Sequence, residues 1–188
     1  SDGGVHSHID HLKALIKAAN ESGVEQSYVH AFTDGRDVDP KSGKGFLMDL
    51  TNYCADKKTK LATVIGRYFA MDRDKRWERV KKAYDVLVNA EGEKTQDIGK
   101  AMQKSYDEGV TDEFIEPLVL TDSNNEPIAK IQNGDVVIFF NFRTDRGREL
   151  TMALNQQDFH EQNMHKLDLY YVTMTNYDDS FTGVEVIY

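Results

Sequence analysis

The chain carries eight arginines and fifteen lysines, and the two types are distributed differently. The lysines are scattered, mostly over segments with helical spacing. The arginines follow three apolar runs: Arg36 comes after "YVHAF" (28–32), and Arg67, Arg73, Arg76 and Arg79 come after "LATVIG" (61–66). Arg143, Arg146 and Arg148 come after "DVVIFFNF" (135–142). A guanidinium grips phosphate or carboxylate through two parallel hydrogen bonds, so such clusters suit an anionic ligand. Arg67 and Arg73 flank a loop. Arg143 and Arg146 bracket an expected helix start, where free backbone N–H groups also favour anions. These four are the expected anion ligands. Arg79 lies off the apolar stripe of its helix and is expected as solvated charge, while Arg76 and Arg148 leave both readings open.

Two other polar stretches carry candidate chemistry. In "SDGGVHSH" (1–8) a glycine turn runs into a helix start, and His6 precedes the cap, free to face a ligand. There it can donate to an oxyanion or move a proton near neutral pH. His8 falls within the apolar stripe and is expected to be packed, and His11 is expected at the surface. The H-x-H-x-x-H spacing does not place the three rings on one helix face, so no metal site is expected. "TDGRD" (33–37) sets Asp34 and Asp37 beside Arg36. Turn chemistry accounts for one aspartate and the glycine. The second carboxylate either belongs to the turn or orients and deprotonates a substrate hydroxyl, and spacing alone leaves both open.

The elements that must position these groups follow from periodicity. Apolar residues at 9, 12, 15, 16 and 19 have helical spacing, and Ser7 with Asp10 makes a capping-box pattern that starts the helix near His8. "YVHAF" and "LATVIG" read as strands, with a helix at 45–58 between them. Trp77, Val80, Tyr84, Leu87 and Val88 mark another amphipathic helix. Ile98 to Asp107 is helical, closed by Gly109. "LVLTDSNNEPIAKI" (118–131) reads as a hairpin, and "DVVIFFNF" as a strand covered on both faces. A helix from Asp145 and a strand "LDLYYVTMT" (167–175) complete the alternation. The expected fold is α/β: a three-layer α/β/α sandwich around a largely parallel or mixed sheet, with an added β-hairpin. In such sheets ligands bind beyond the carboxyl ends of the strands, where all three arginine clusters fall. Residues 1–175 are read as one domain and 176–188 as a connecting segment.

Composition narrows the function class. A net charge of −9 argues against nucleic acid or an anionic membrane as partner. No apolar stretch approaches the roughly 20 residues of a membrane span. The single cysteine, Cys54, excludes an internal disulfide and fits a reducing, cytoplasmic setting. The "SDGG" opening without Met and the strand-like "VEVIY" ending suggest a piece of a longer protein.

Four stretches, "SDGGVHSHIDHL", "DGRDVDP", "GRYFAMDRDKRWERV" and "FNFRTDRGREL", together resemble the cofactor-independent (2,3-bisphosphoglycerate-independent) phosphoglycerate mutases, in order and over essentially the whole chain. The resemblance implies an enzyme that interconverts 2- and 3-phosphoglycerate in glycolysis and gluconeogenesis through a phosphoserine. It also implies two domains: a phosphatase domain holding two manganese ions and the serine, and an inserted domain that binds phosphoglycerate. This chain is similar to the inserted domain alone. By motif, His6, Arg36, Asp37, Arg67, Arg73, Arg143 and Arg146 are implied as substrate-binding, with Asp37 handling the hydroxyl proton. Thr144 stands where the familiar form of the last motif has proline, which removes neither arginine. The chain is expected to bind no metal, to need the phosphatase domain in cis for turnover, and to be monomeric. The main rival is a phosphate- or carboxylate-binding module without catalysis. A metal-dependent hydrolase built on the histidine-rich start is a further rival, one that would require metal affinity in this chain alone.

Overall fold

The computed structural model describes residues 1–188. Helix α1 (Ile9–Glu21) is capped by His8, whose Nδ1 accepts from the Asp10 N–H at 3.2 Å. The expected Ser7 cap and the expected packing of His8 in the apolar stripe are both corrected by this: the ring serves the helix end and is half-buried. His11 is exposed, as its flank position implies. Strand β1 (Ser27–Thr33), helix α2 (Gly43–Cys54) and strand β2 (Thr59–Gly66) follow. A short helix α3 (Arg67–Ala70) springs directly from β2, and α4 (Trp77–Tyr84) runs into a wider turn at Asp85–Asn89.

Strand β3 (Glu93–Thr95) leads to α5 (Ile98–Asp107), which Asp97 caps by accepting from the Lys100 N–H at 3.1 Å. After β4 (Leu118–Leu120) the expected turn forms, with the Asp122 carboxylate accepting the N–H groups of Asn124 and Glu126. The second arm of that hairpin is only a bridge at Pro127, a residue without an N–H to extend a ladder. The chain then turns away, and Ile131 N–H bonds the Leu87 carbonyl at 2.8 Å. Strand β5 (Val136–Phe139), helix α6 (Arg148–Thr151), β6 (Tyr170–Thr173) and β7 (Val184–Val186) complete the chain.

The strands form two sheets, ordered β1-β2-β4-β3 and β5-β6-β7. All pairs are parallel except β2 with β4. Alternation sends neighbouring residues of the first sheet into different cores. Leu61, Leu118 and Leu120 pack with α1, α2 and α5, while Ile65 and Val119 pack with α3, α4 and α6. This is the three-layer α/β arrangement. The second core also takes Phe139, Tyr171 and Tyr177, so it joins the two sheets.

The 135–142 run departs from expectation. Its strand ends at Phe139, and only Val137 and Phe139 face the core, while Val136 is 65 % exposed and Ile138 44 %. A continuous apolar run therefore marks one covered face here, not two. Residues 176–188, read as a connection, contribute strand β7 and the buried Tyr177, whose hydroxyl donates to the carbonyls of Phe139 and Asn141.

Candidate functional site

The three arginine-bearing segments meet. Strand β1 ends in the turn Thr33–Asp37, in which Asp34 Oδ1 accepts the N–H groups of Arg36 and Asp37 at 3.2 and 3.0 Å. Gly35 supplies the left-handed residue of the turn at φ +66°, and a Cβ there would lie 2.7 Å from Asp112 Cβ. Strand β2 ends at Gly66 and delivers Arg67 as the first residue of α3. The irregular Phe140–Phe142 segment beyond β5 is fixed by Phe142 N–H bonding the His6 carbonyl at 2.9 Å, which brings the amino-terminal turn beside Arg143.

Arg67 is the hub. It is 4 % exposed, and its NH1 donates to Asp34 Oδ1 at 2.7 Å and Asp37 Oδ2 at 2.5 Å. Its NH2 lies 3.0 Å from His6 Nε2. His6 is itself buried, contrary to the expectation of a free ring: it is wedged between Arg67, Asp37 and Asp145. Burial, with the Arg67 and Arg143 charges, lowers its pKa and favours the neutral ring. Its Nδ1 is buried without a hydrogen-bond partner, so the ring retains one unused donor or acceptor. Burial would raise the pKa of Asp34, but the Asp37 N–H, the Ser1 hydroxyl, Arg67 and the Arg36 N–H outweigh it and hold the group down at about 2.

A second knot lies beside the first. Asp145 Oδ2 accepts from Arg73 NH1 at 2.8 Å and from Arg143 NH2 at 3.0 Å, and Arg143 Nε stands 2.9 Å from Oδ1. One carboxylate thus lies between two guanidiniums that are each 46 % exposed. Arg146 reaches the Met71 carbonyl at 2.9 Å, and burial together with Arg67 and Arg73 lowers its pKa. Arg36 is the outermost of the set, 61 % exposed and 3.3 Å from Glu113 Oε1.

Arg36, Arg67, Arg73 and Arg146 border a cleft of about 390 Å³ that Arg76, Arg79, Asp72, Asp74 and Glu113 also line, whereas His6, Asp37, Arg143 and Asp145 lie outside its lining. Six arginines against three carboxylates leave the lining of this space net positive, an arrangement suited to an anion. Arg79 corrects the expectation of solvated charge. It is 18 % exposed, lies over the Tyr68 ring at 3.7 Å and contacts Asp72 Oδ2 at 3.4 Å. Arg76 lines the cleft, whereas Arg148 donates to the Tyr177 carbonyl and braces the fold.

The structure brings His6, Asp37, Arg67, Arg73 and Arg143 into one set of contacts with Asp145, and Asp72 and Glu149 hold the neighbouring loop; the sequence singles out none of these last three carboxylates. Asp145 lay in plain sight between the two chosen arginines of "RTDR". Asp72 and Glu149 carry no sequence signal beyond being carboxylates next to apolar residues. A group of side chains able to share an ion occurs elsewhere: Asp158, His160 and His165, all exposed, with ligand atoms within 4.8 Å. Three exposed ligands do not fit a two-ion centre.

A family model described as the BPG-independent PGAM N-terminus matches residues 1–179. The chain belongs to that family. It is 63% identical over 188 residues to a 2,3-bisphosphoglycerate-independent phosphoglycerate mutase of Flavobacterium psychrophilum, matching all of this chain and 37% of that protein. The mutase of the same name from Clostridium beijerinckii is 51% identical over 189 residues, again with 37% of its length covered. A crystal structure of Leishmania mexicana phosphoglycerate mutase at low cobalt concentration superposes with a TM-score of 0.88 at 31% identity, over 95% of this chain and 34% of that one. This BPG-independent PGAM N-terminal domain therefore spans little more than a third of the curated relatives it matches.

Proposed function

We propose that this chain is the substrate-binding domain of a phosphoglycerate mutase that interconverts 2- and 3-phosphoglycerate through a phosphoserine, in glycolysis and gluconeogenesis. The single observation that carries the reading is the convergence of Arg67, Arg73, Arg143 and Arg146, from two distant segments, around His6 and Asp37 at the carboxyl ends of β1, β2 and β5. A phosphoglycerate has two anionic ends, and the two arginine knots offer a partner for each. In this reading Arg143 and Arg146 grip the phosphate, Arg36 and Asp37 engage the glycerate portion, and Arg67 and Arg73 serve the carboxylate and phosphate region. Asp37, paired with Arg67 and 3.7 Å from His6 Nε2, stands where it can hold or pass a hydroxyl proton. Holding glycerate while its orientation changes is a positioning task, for which buried and mutually braced groups are suited.

The serine nucleophile and two manganese ions would come from a phosphatase domain in the same polypeptide. No donor set of this chain fits such a centre, so its residues contribute binding and proton handling only. The chain alone is inactive, monomeric and cytoplasmic in this reading, with residues 176–188 leading toward the phosphatase domain. No helix is long and apolar enough to cross a membrane.

Calorimetric titration of the chain with 3-phosphoglycerate tests the reading, with inorganic phosphate and Arg143→Ala as comparisons. Binding tighter than inorganic phosphate and lost in the variant is expected. Equal affinity for the two ligands would favour a plain anion-binding module.

A further inference from the structure

Two carboxyl groups are buried at the arginine cleft, Asp72 in its lining at 4 % exposure and Glu149 outside the lining at 6 %. Between them they hold the loop that carries Arg73. Asp72 Oδ1 accepts the N–H groups of Asp74 at 2.9 Å and Arg76 at 3.0 Å. Glu149 Oε1, arriving from α6 some seventy positions later in the chain, accepts the Lys75 N–H at 2.7 Å. Lys75 sits in the left-handed region at φ 58°, a conformation that costs a non-glycine residue free energy and persists only when its surroundings enforce it. Glu149 Oε2 is buried with no donor of its own. A proton on Glu149 turns Oε2 from an unpaired acceptor into a donor toward Asp72 and removes the repulsion of two neighbouring charges.

We propose that Asp72 and Glu149 act as a proton-sharing pair that fixes the 72–76 loop and so positions Arg73 and Arg76 toward the cleft, making anion binding sensitive to the protonation of Glu149. The inference deepens the substrate-binding reading and rests on it for the identity of the anion. Burial first, then the neighbouring Asp72 and Asp74, push Glu149 up to about 7, even though the Lys75 N–H works against them. Burial also acts upward on Asp72, but the N–H groups of Arg76 and Asp74, the Glu149 carboxyl and Arg79 hold it below its ordinary value. The charged groups around the pair are Arg73, Asp74, Lys75 and Arg76 of the loop, Arg79 of α4, which contacts Asp72 Oδ2, and Arg36, Arg67, Glu113 and Arg146, which line the cleft together with Asp72. When Glu149 loses its proton, two buried carboxylates repel each other directly behind the loop. Glu149→Gln keeps an acceptor for Lys75 and a donor for Asp72 but cannot titrate.

The test follows the Lys75 and Arg76 amide resonances of the chain across neutral pH, and beside them its affinity for 3-phosphoglycerate, in native and Glu149→Gln forms. The native amides are expected to titrate together near neutrality and those of Glu149→Gln to stay still. From about pH 6 to about pH 9, native affinity should fall roughly threefold to tenfold further than that of Glu149→Gln. Comparing the two forms cancels the ionisation of the ligand and of His6. Glu149→Ala, which lacks the acceptor, should bind weakly at every pH. Identical pH dependence in native and Glu149→Gln chains would overturn the inference. If the amides titrate as expected but 3-phosphoglycerate binds no better than inorganic phosphate, the positioning role stands and the substrate reading fails.

Discussion

At the scale of single residues, the site is held by charges that satisfy one another before any ligand arrives. Arg67 is nearly inaccessible and bonds two carboxylates and a histidine. Its removal leaves Asp34 and Asp37 facing each other with no cation between them. Arg67→Ala should destabilise the fold by about 3 kcal/mol, because an orphaned charge in a partly buried site is costly. Urea unfolding measures this; a loss of under about 0.5 kcal/mol, the level of an ordinary surface change, would mean the ion pairs are not structural. Asp145 plays the opposite part. Its carboxylate occupies the space between Arg73 and Arg143 that a phosphate would take in the proposed reading. A unit charge near 4 Å is worth about 1 kcal/mol even in water, so Asp145→Asn should tighten inorganic phosphate binding several-fold. Weaker binding in calorimetry would instead make Asp145 a preorganising clamp.

At the scale of elements, the site residues sit in the turns and loops between regular elements or, for Arg67, at the first residue of one. Strand β1 ends in a turn closed by Asp34, and β2 passes into α3 without a linker. Both are backed by the Asp112–Phe114 turn. Asp112 is fully buried, accepts the Gly43 N–H at 2.6 Å and the Tyr106 hydroxyl at 2.5 Å, and its carbonyl accepts from Thr33 Oγ1 at 2.7 Å. Gly35 packs against this post with no room for a side chain. Gly35→Ala combines a disfavoured φ with a close contact and should cost roughly 1–3 kcal/mol. The same displacement of Arg36 and Asp37 should weaken ligand binding. Denaturation and titration of one variant sample check both, and unchanged affinity would disconnect the Asp112 post from the site.

At the scale of the whole molecule, stability should depend on pH through groups far apart in sequence. Glu149 is raised in the folded state, so its contribution is complete below the ordinary glutamate value and is lost as pH rises through about 7. His30, on β1 beside Thr63, is lowered by burial to about 4, with Asp135 acting weakly against that. Its neutral form is the folded one, so its contribution is complete above the ordinary histidine value and is lost as pH falls toward about 4. Over about pH 5 to 7 the two act in opposite senses. Glu149→Gln should therefore make stability rise more steeply with pH across that window than in the native chain. Parallel denaturation curves at several pH values would show this, and matching slopes would exclude Glu149 as a titrating group.

Much of this was readable from local pattern. The helices Ile9–Glu21 and Ile98–Asp107 and the strands around Val29 and Val64 follow from periodicity and caps, because short-range spacing decides which face is apolar. The placing of arginines after strands was equally visible, since a parallel sheet sends those ends to one edge. What sequence could not decide were the relations between distant segments. That the strands divide into two sheets, that the 135–142 run is covered on one face only, and that Tyr177 enters the core depend on which surfaces meet, and one strand's pattern does not contain that. The burial of His6, the capture of Arg73 and Arg143 by Asp145, and the pairing of Asp72 with Glu149 are of the same kind. Each arises from charges brought within a few ångströms by packing, where removal from water turns an ordinary surface residue into one that the rest of the site must balance.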